Sequence, residues 1–155
     1  MRSDIPTLGH GYYWQDLAVG QRFMTLRRTV TPTDIVNFIS VTGMLASIFV
    51  DYTTCTDNAI YGRPAPAALT YSLAEGLIMQ GMLQDTGLAQ FEVHQKMIAP
   101  VMAGDTIYAI IEITGIRPTT QLNRAIVNLA VEVRNQHGTS VMSYVSTRMV
   151  AGQPT

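Results

Sequence analysis

The chain has few charged residues: only 14% of its 155 residues are Asp, Glu, Lys or Arg, against about a quarter in a typical soluble domain. The net charge is −1, and the basic residues are scattered, which argues against the basic patch that nucleic-acid binding requires. A chain so poor in charge either buries much of its surface in an oligomer or carries an apolar ligand site. We expect an oligomer, a homodimer or larger, because sheet proteins commonly associate through an edge or a face.

Cysteine is nearly absent as well. Cys55 is the only one, so the chain cannot form an internal disulfide, which fits a reducing compartment. The histidines His10, His94 and His137 are too widely separated to suggest a metal site, and we expect no metal or cofactor. The N-terminus lacks the apolar run of a signal peptide, and no stretch is apolar enough to span a membrane. We therefore expect a cytoplasmic protein.

The first half of the chain predicts a strand, a short helix, a loop and a long helix. Residues 20–31 have a β-like pattern, and a short helix capped by Thr31 or Thr33 follows. Residues 44–62 predict irregular chain, where a functional loop would lie. From Ala65 to Leu83 the sequence is apolar on nearly every side of a helix, which indicates a buried one.

The second half predicts antiparallel strands. Residues 91–98 and 106–114 form two of them, and residues 122–134 alternate between apolar and polar side chains, as in a strand with one wet face. Residues 135–138 predict a hairpin turn into a last strand over 141–150. The whole order predicts one α+β domain over residues 1–155, in which an antiparallel sheet wraps around a central helix, as in the hot-dog fold. Residues 1–12 are expected to form a flexible lead-in.

Four stretches in the correct order resemble the MaoC-like branch of the hot-dog superfamily, which comprises the (R)-specific enoyl-CoA hydratases and MaoC dehydratases. Residues 13–23 resemble its opening motif w-x-D-l-x-v-G-x-x-f, and residues 30–38 resemble its helix start v-T-x-x-D-i-x-x-F. Residues 59–64 resemble the approach to the central helix, and residues 100–106 the turn P-V-x-x-G-D-T. The resemblance implies a pocket for an acyl thioester, carried on CoA or on a carrier protein, and hydratase or dehydratase chemistry.

The active segment of the family reads Gly-Asp-x-Asn-Pro-x-His-x-Asp, and here Gly43 and Asp51 keep its two ends. Met44 stands at the Asp position, however, and Phe49 at the His position. An acid and a base each contribute roughly 10²–10⁴-fold to such a reaction, and neither a thioether nor a phenyl ring can exchange a proton. The resemblance therefore implies a site that is either remodelled or degenerate, and it leaves the catalytic residues unknown.

The family places a Gly at the start of the central helix, where it helps to form an oxyanion hole for the thioester carbonyl. In this chain the corresponding segment, residues 63–68, is one residue shorter. Ala67 stands at the Gly position, so backbone donors there belong to Ala67 or Ala68. The resemblance implies six residues that contact substrate: Met44, Phe49, Tyr61, Gly62, Ala67 and Ala68.

Three further residues are candidates for catalysis. Asp51 resembles a family position that supports the loop by hydrogen bonds, and Tyr52 is a candidate acid in a remodelled site. Glu75 is the only charge in the long helix, where it either pairs with an arginine, lines a subunit interface or acts as a carboxylate with a raised pKa. Hot-dog thioesterases place an acidic residue on this helix.

Three functions remain open from the sequence. The first is a lyase of the enoyl-CoA hydratase type with a non-standard site. The second is a non-catalytic hot-dog subunit that partners an active hydratase in a heteromer. The third is a thioesterase or other biosynthetic enzyme that uses Glu75 or Tyr52.

Overall fold

Six antiparallel strands form the sheet in the computed structural model, which describes residues 5–53 and 62–155. The order across the sheet is β1-β4-β5-β6-β3, and β2 pairs with β4. The strands are β1 (Arg22–Met24), β2 (Arg28–Thr29), β3 (Gly87–Met97), β4 (Thr106–Pro118), β5 (Arg124–Arg134) and β6 (Ser140–Ala151). The three longest pairings of the sheet are β4 with β5, β5 with β6, and β6 with β3. Among the described strands, β3 pairs with β6 alone, which makes it an edge strand.

The alternation in β5 places its apolar residues on the inner face, as the sequence predicts. Ala125, Val127, Leu129, Val131 and Val133 are all buried. The hairpin turn that follows has a positive φ of 78° at Gly138, the conformation that favours glycine. This register fixes the inner faces of β4 and β6 opposite the central helix.

The helices are α1 (Pro32–Thr42), α2 (Ser47–Val50) and α3 (Ala67–Ile78), and a single π-type turn (Met79–Leu83) continues α3. Buried residues of α3, among them Leu69, Leu73 and Ile78, pack against the sheet and form the core. The predicted fold class, an α+β domain with a central helix, is confirmed. The helix begins two residues later than predicted because Pro66 occupies the N-cap position.

The lead-in segment crosses the far end of the central helix. The N–H of Gly11 donates to the carbonyl of Gln84 at 2.8 Å, and that of Tyr12 donates to the carbonyl of Met82 at 2.9 Å. A Cβ at position 11 would lie 2.4 Å from the Met82 carbonyl oxygen, so only glycine allows this close approach. Residues 11 and 12, at the C-terminal end of the lead-in, are thus held by backbone hydrogen bonds. Residues 1–4 lie outside the described part of the chain.

Within residues 5–53 and 62–155, no helix is long and apolar enough to cross a membrane. The same residues contain no group of three His, Cys, Asp or Glu side chains that could hold a metal ion. Cys55 is not among the described residues.

Thr31 caps α1, which leads into the loop of the candidate site. Its hydroxyl oxygen accepts from the Asp34 N–H at 3.1 Å, while the Asp34 carboxylate accepts from the Thr31 N–H at 2.8 Å. We expect Thr31→Ala to lower the free energy of unfolding by about 1 kcal/mol, the usual cost of losing a cap. Urea denaturation measures this. The matched variant Thr33→Ala, at the second residue of the same helix, should change stability by less than about 0.5 kcal/mol. Equal losses from the two variants would contradict the capping role.

Candidate functional site

A cleft of about 340 Å³ lies at the N-terminal end of α3. Three parts of the chain form its walls: α2, the segment that leads into α3, and the chain that follows β3. The lining residues are Ile48, Phe49, Pro64, Ala65, Ala67, Met97, Ile98, Ala99, Pro100 and Val101. The loop predicted to carry function therefore lies against the start of the central helix.

The loop reaches this position because the chain reverses after α1. Gly43 has a φ of 73°, which ends the helix in the left-handed conformation. One short turn later, α2 begins, and the N–H of Phe49 donates to the Ala46 carbonyl at 2.9 Å. Asp51 follows α2, and its carboxylate accepts from the N–H of Thr53 at 2.9 Å and from its hydroxyl at 2.6 Å. These bonds give Asp51 the geometry of a loop-supporting residue.

The start of α3 is anchored to the turn at residues 100–106. The N–H of Ala65 donates to the Val101 carbonyl at 2.7 Å, and the N–H of Ala103 donates to the Arg63 carbonyl at 2.8 Å. The first N–H groups of a helix have no partner within the helix. Those of Ala67 and Ala68 therefore lie at the end of α3 that borders the cleft, where they can donate to a carbonyl oxygen or an anion.

The structure brings only some of the predicted substrate contacts together. Phe49 and Ala67 both line the cleft, and Ala68 lies beside Ala67 in the first turn of α3. Met44 is 37% exposed at the end of α1 and is not among the lining residues. Gly62 is exposed, with a φ of 91°. Tyr61 lies outside the described residues.

The described lining of the cleft has no side chain that can exchange a proton near neutral pH. It offers apolar surface and backbone donors, which suit binding but not acid–base chemistry. Sequence reasoning missed the third wall, formed by Met97, Ile98 and Ala99. Met97 and Ile98 are exposed apolar residues. Consecutive apolar residues at the end of a predicted strand are the sequence signal that could have identified this wall.

Tyr52 lies beside the cleft rather than in it. The Arg63 guanidinium carbon is 4.4 Å from the centre of the Tyr52 ring, a cation–π contact. Tyr52 precedes residues 54–61 and Arg63 follows them, so this contact joins the two flanks of that segment. Tyr52 is 56% exposed, and this geometry gives it a structural partner.

Glu75 lies farther along α3 and pairs with an arginine, one of the three roles that the sequence allows. The Arg148 Nη2 is 2.5 Å from both carboxylate oxygens of Glu75, and the Tyr144 hydroxyl donates to Oε1 at 2.7 Å. The Nε of Arg148 donates to the Ser146 hydroxyl at 3.1 Å. Both charged side chains are largely buried, with 5% of Arg148 and 15% of Glu75 exposed. With its carboxylate held in this way, Glu75 has the geometry of a structural residue.

Two tyrosines surround this ion pair. Tyr71 and Tyr144 meet edge to face with ring centres 5.2 Å apart, and the Tyr71 hydroxyl donates to the side-chain carbonyl of Gln90 at 3.1 Å. The pKa of both hydroxyls is raised above the ordinary tyrosine value, mainly by burial and secondly by the negative charge of Glu75. Both hydroxyls therefore stay protonated over the physiological range and act as donors.

The histidines lie away from the cleft. His94 faces outward on β3 and lies 2.9 Å from the Glu92 carboxylate. His10 contacts Tyr13 in the lead-in, with its Nε2 3.3 Å from the tyrosine hydroxyl. His137 belongs to the exposed hairpin turn between β5 and β6.

The family model described as the MaoC-like domain matches residues 16–135. This chain therefore belongs to the MaoC-like domain family of hydratases and dehydratases. No match was found among the curated proteins.

Solved structures share the fold over most of the chain. A MaoC-like dehydratase from Rhodospirillum rubrum is 23% identical, with a TM-score of 0.83, and the match covers 94% of this chain and 100% of that one. A Mycobacterium tuberculosis protein with a double hot-dog fold is 19% identical, with a TM-score of 0.84 over 93% of this chain and 45% of that one. The HadBC (3R)-hydroxyacyl-ACP dehydratase complex of the same organism is 20% identical, with a TM-score of 0.68 over 84% of this chain and 96% of that one. The fold is thus the hot-dog fold.

Proposed function

We propose that this chain binds an acyl thioester in the cleft at the start of α3 and does not hydrate enoyl thioesters unaided. The observation that carries the proposal is Phe49, which lines the cleft beside Ala67 at the position where the family places its histidine. A phenyl ring there contributes apolar contact and no proton transfer. The chain is then a binding member of the family whose hydratase chemistry has been lost.

The cleft is suited to the thioester end of a ligand for two reasons. Its apolar walls match an acyl chain, and about 340 Å³ is within the usual size range of small-molecule sites. The N–H groups at Ala67 and Ala68 supply the donors that a thioester carbonyl accepts. We therefore assign the carbonyl to the start of α3 and the acyl chain to the wall formed by Phe49 and Ile98.

We further propose that a second hot-dog chain, identical or different, pairs with the β3 edge. This strand has eleven residues, and one of its edges pairs with no strand of the described residues, so it is a template for another strand. Apolar residues on β3 and directly after it are exposed, with 51% of Leu88, 57% of Phe91 and 51% of Ile98 accessible. Ile98 also lines the cleft, so a chain bound there would lie against the ligand. The HadBC dehydratase, whose structure resembles this chain, is a complex, which supports the pairing of this chain with a second one.

Calorimetric titration of the chain with butyryl-CoA, a saturated thioester that cannot be hydrated, tests the binding site. We expect saturable binding that Ala67→Leu weakens at least about tenfold, because the larger side chain fills the cleft. Ala18→Leu, an exposed alanine in a surface turn, is the matched control and should leave binding unchanged. Absence of binding, or equal effects of the two substitutions, would rule out this site.

A further inference from the structure

A second cavity, of about 250 Å³, lies between the π-type turn, the start of β3 and the end of β6. It shares no lining residue with the cleft. Glu75, which lines it, is separated from Ala67 by about 12 Å along α3 at 1.5 Å per residue. Its apolar walls are Met79, Leu83, Leu88 and Met149.

The chain departs from regular geometry on two sides of this cavity. The helix passes into the π-type turn at Met79–Leu83, and such turns are frequent at functional sites. The pairing of β3 with β6 shifts register between Gly87 and Ala89 and again between Gln90 and Glu92, and bulges of this kind commonly re-aim a side chain. Met79 and Leu83, at the two ends of the turn, line the cavity, and so does Gln90, which lies between the two register shifts.

The polar wall of the cavity consists of Glu75, Arg148 and Gln90. The Gln90 side-chain carbonyl accepts from Tyr71, and its amide nitrogen has no hydrogen-bond partner among the residues that the structure describes. Within the described residues, the Glu75 Oε2 accepts from Arg148 alone, which leaves it a lone pair for a further donor. The wall therefore offers one donor and one acceptor.

The ion pair decides which ligands suit this wall. The opposite charges of Glu75 and Arg148, 2.5 Å apart, largely neutralise each other. A charged ligand would therefore gain little net attraction from the pair and would lose part of its hydration. A hydroxyl group is the smallest group that both donates and accepts, so it can bond Glu75 and Gln90 at once. At about 30 Å³ for each water-sized group, the cavity holds about eight non-hydrogen atoms.

We propose that this cavity is a second binding site, separate from the thioester cleft, for a neutral, mainly aliphatic molecule that carries a hydroxyl group. The hydroxyl donates to Glu75 and accepts from Gln90, and the aliphatic part packs against Met79, Leu83 and Met149. The site does not depend on thioester binding in the cleft, because the two share no lining residue.

The test uses 1-hexanol as the probe and chain labelled with ¹³C at the methionine methyl groups. The methyl groups of Met79 and Met149 report on the cavity, while those of Met102, which lies near Gly62, and Met142, which is buried in the core, are internal controls. We expect saturable shifts at Met79 and Met149 with little change at the controls. Hexanoate and hexylammonium, which have the same chain and a charged end, should bind at least about tenfold more weakly.

Gln90→Leu keeps the side-chain size and removes the donor, so the affinity for 1-hexanol should fall about fivefold. Gln95→Leu, on the same strand and outside the cavity, should leave it unchanged. Three results would each overturn the proposal: no saturable shift at Met79 and Met149, equal binding of the charged probes, or the same loss of affinity in both glutamine variants.

Discussion

Replacing Glu75 by Ala should lower the free energy of unfolding by about 3–5 kcal/mol, because it leaves Arg148 buried without its partner charge. Only 5% of the Arg148 side chain is exposed, so its charge is largely removed from bulk water and depends on the carboxylate. Tyr144 loses an acceptor in the same variant, which adds to the cost. Urea denaturation followed by circular dichroism measures the effect.

Two comparisons separate this effect from ordinary loss of packing. The double variant Glu75→Leu with Arg148→Met should recover most of the stability, because well-packed apolar residues can replace a buried ion pair at little cost. Glu112→Ala removes one partner of the exposed pair with Arg22, where 48% and 62% of the two side chains are accessible, and it should change stability by less than about 1 kcal/mol. A small loss in Glu75→Ala would mean that the pair contributes little to the fold.

If the proposed function is correct, an acid and a base at the two positions that resemble the family's dyad should give the chain hydratase activity. We expect Met44→Asp combined with Phe49→His to raise the rate of crotonyl-CoA hydration at least about 100-fold above the unmodified chain, since one acid or base contributes about 10²–10⁴-fold. Phe49→His alone should give much less, because it supplies one of the two groups. The loss of absorbance of the enoyl thioester follows the reaction.

The control for this experiment is the pair Met44→Asn with Phe49→Gln, which introduces side chains of similar size that do not titrate. It should leave the rate at the background level. An equal gain from this pair would show that the two positions act by shape or polarity instead of proton transfer. No gain from the Asp and His pair would show that residue 44, which is not among the lining residues of the cleft, and residue 49 do not act together on an enoyl thioester.

The fold could be predicted because its periodicity is strong. The helix after Ala65 is apolar on nearly every side, which indicates that it is buried. The alternation in β5 indicates a strand with one buried face. The start of β3 was less predictable: the strand begins at Gly87 instead of residue 91 because the edge position leaves most of its residues exposed, without alternation. The π-type turn at Met79–Leu83 depends on tertiary packing and has no local signal.

The candidate site was predictable only where motifs fix the chain. The resemblance of the segment from Gly43 to Asp51 named Phe49 as a candidate substrate contact, and the start of the helix named Ala67. In the structure both residues line one cleft. Contacts between distant residues could not be found in this way. Glu75 and Arg148 are 73 residues apart, and the sequence offers no means of choosing Arg148 among the arginines.

An assay of the purified, unmodified chain with crotonyl-CoA separates a binding protein from a hydratase, at a concentration that saturates the site in the butyryl-CoA titration. We expect the chain to bind the thioester without hydrating it. Hydration by the chain alone in the usual enzymatic range of about 1–10³ s⁻¹ would show that the proposed function is wrong, because it would require an acid and a base that the described cleft lacks.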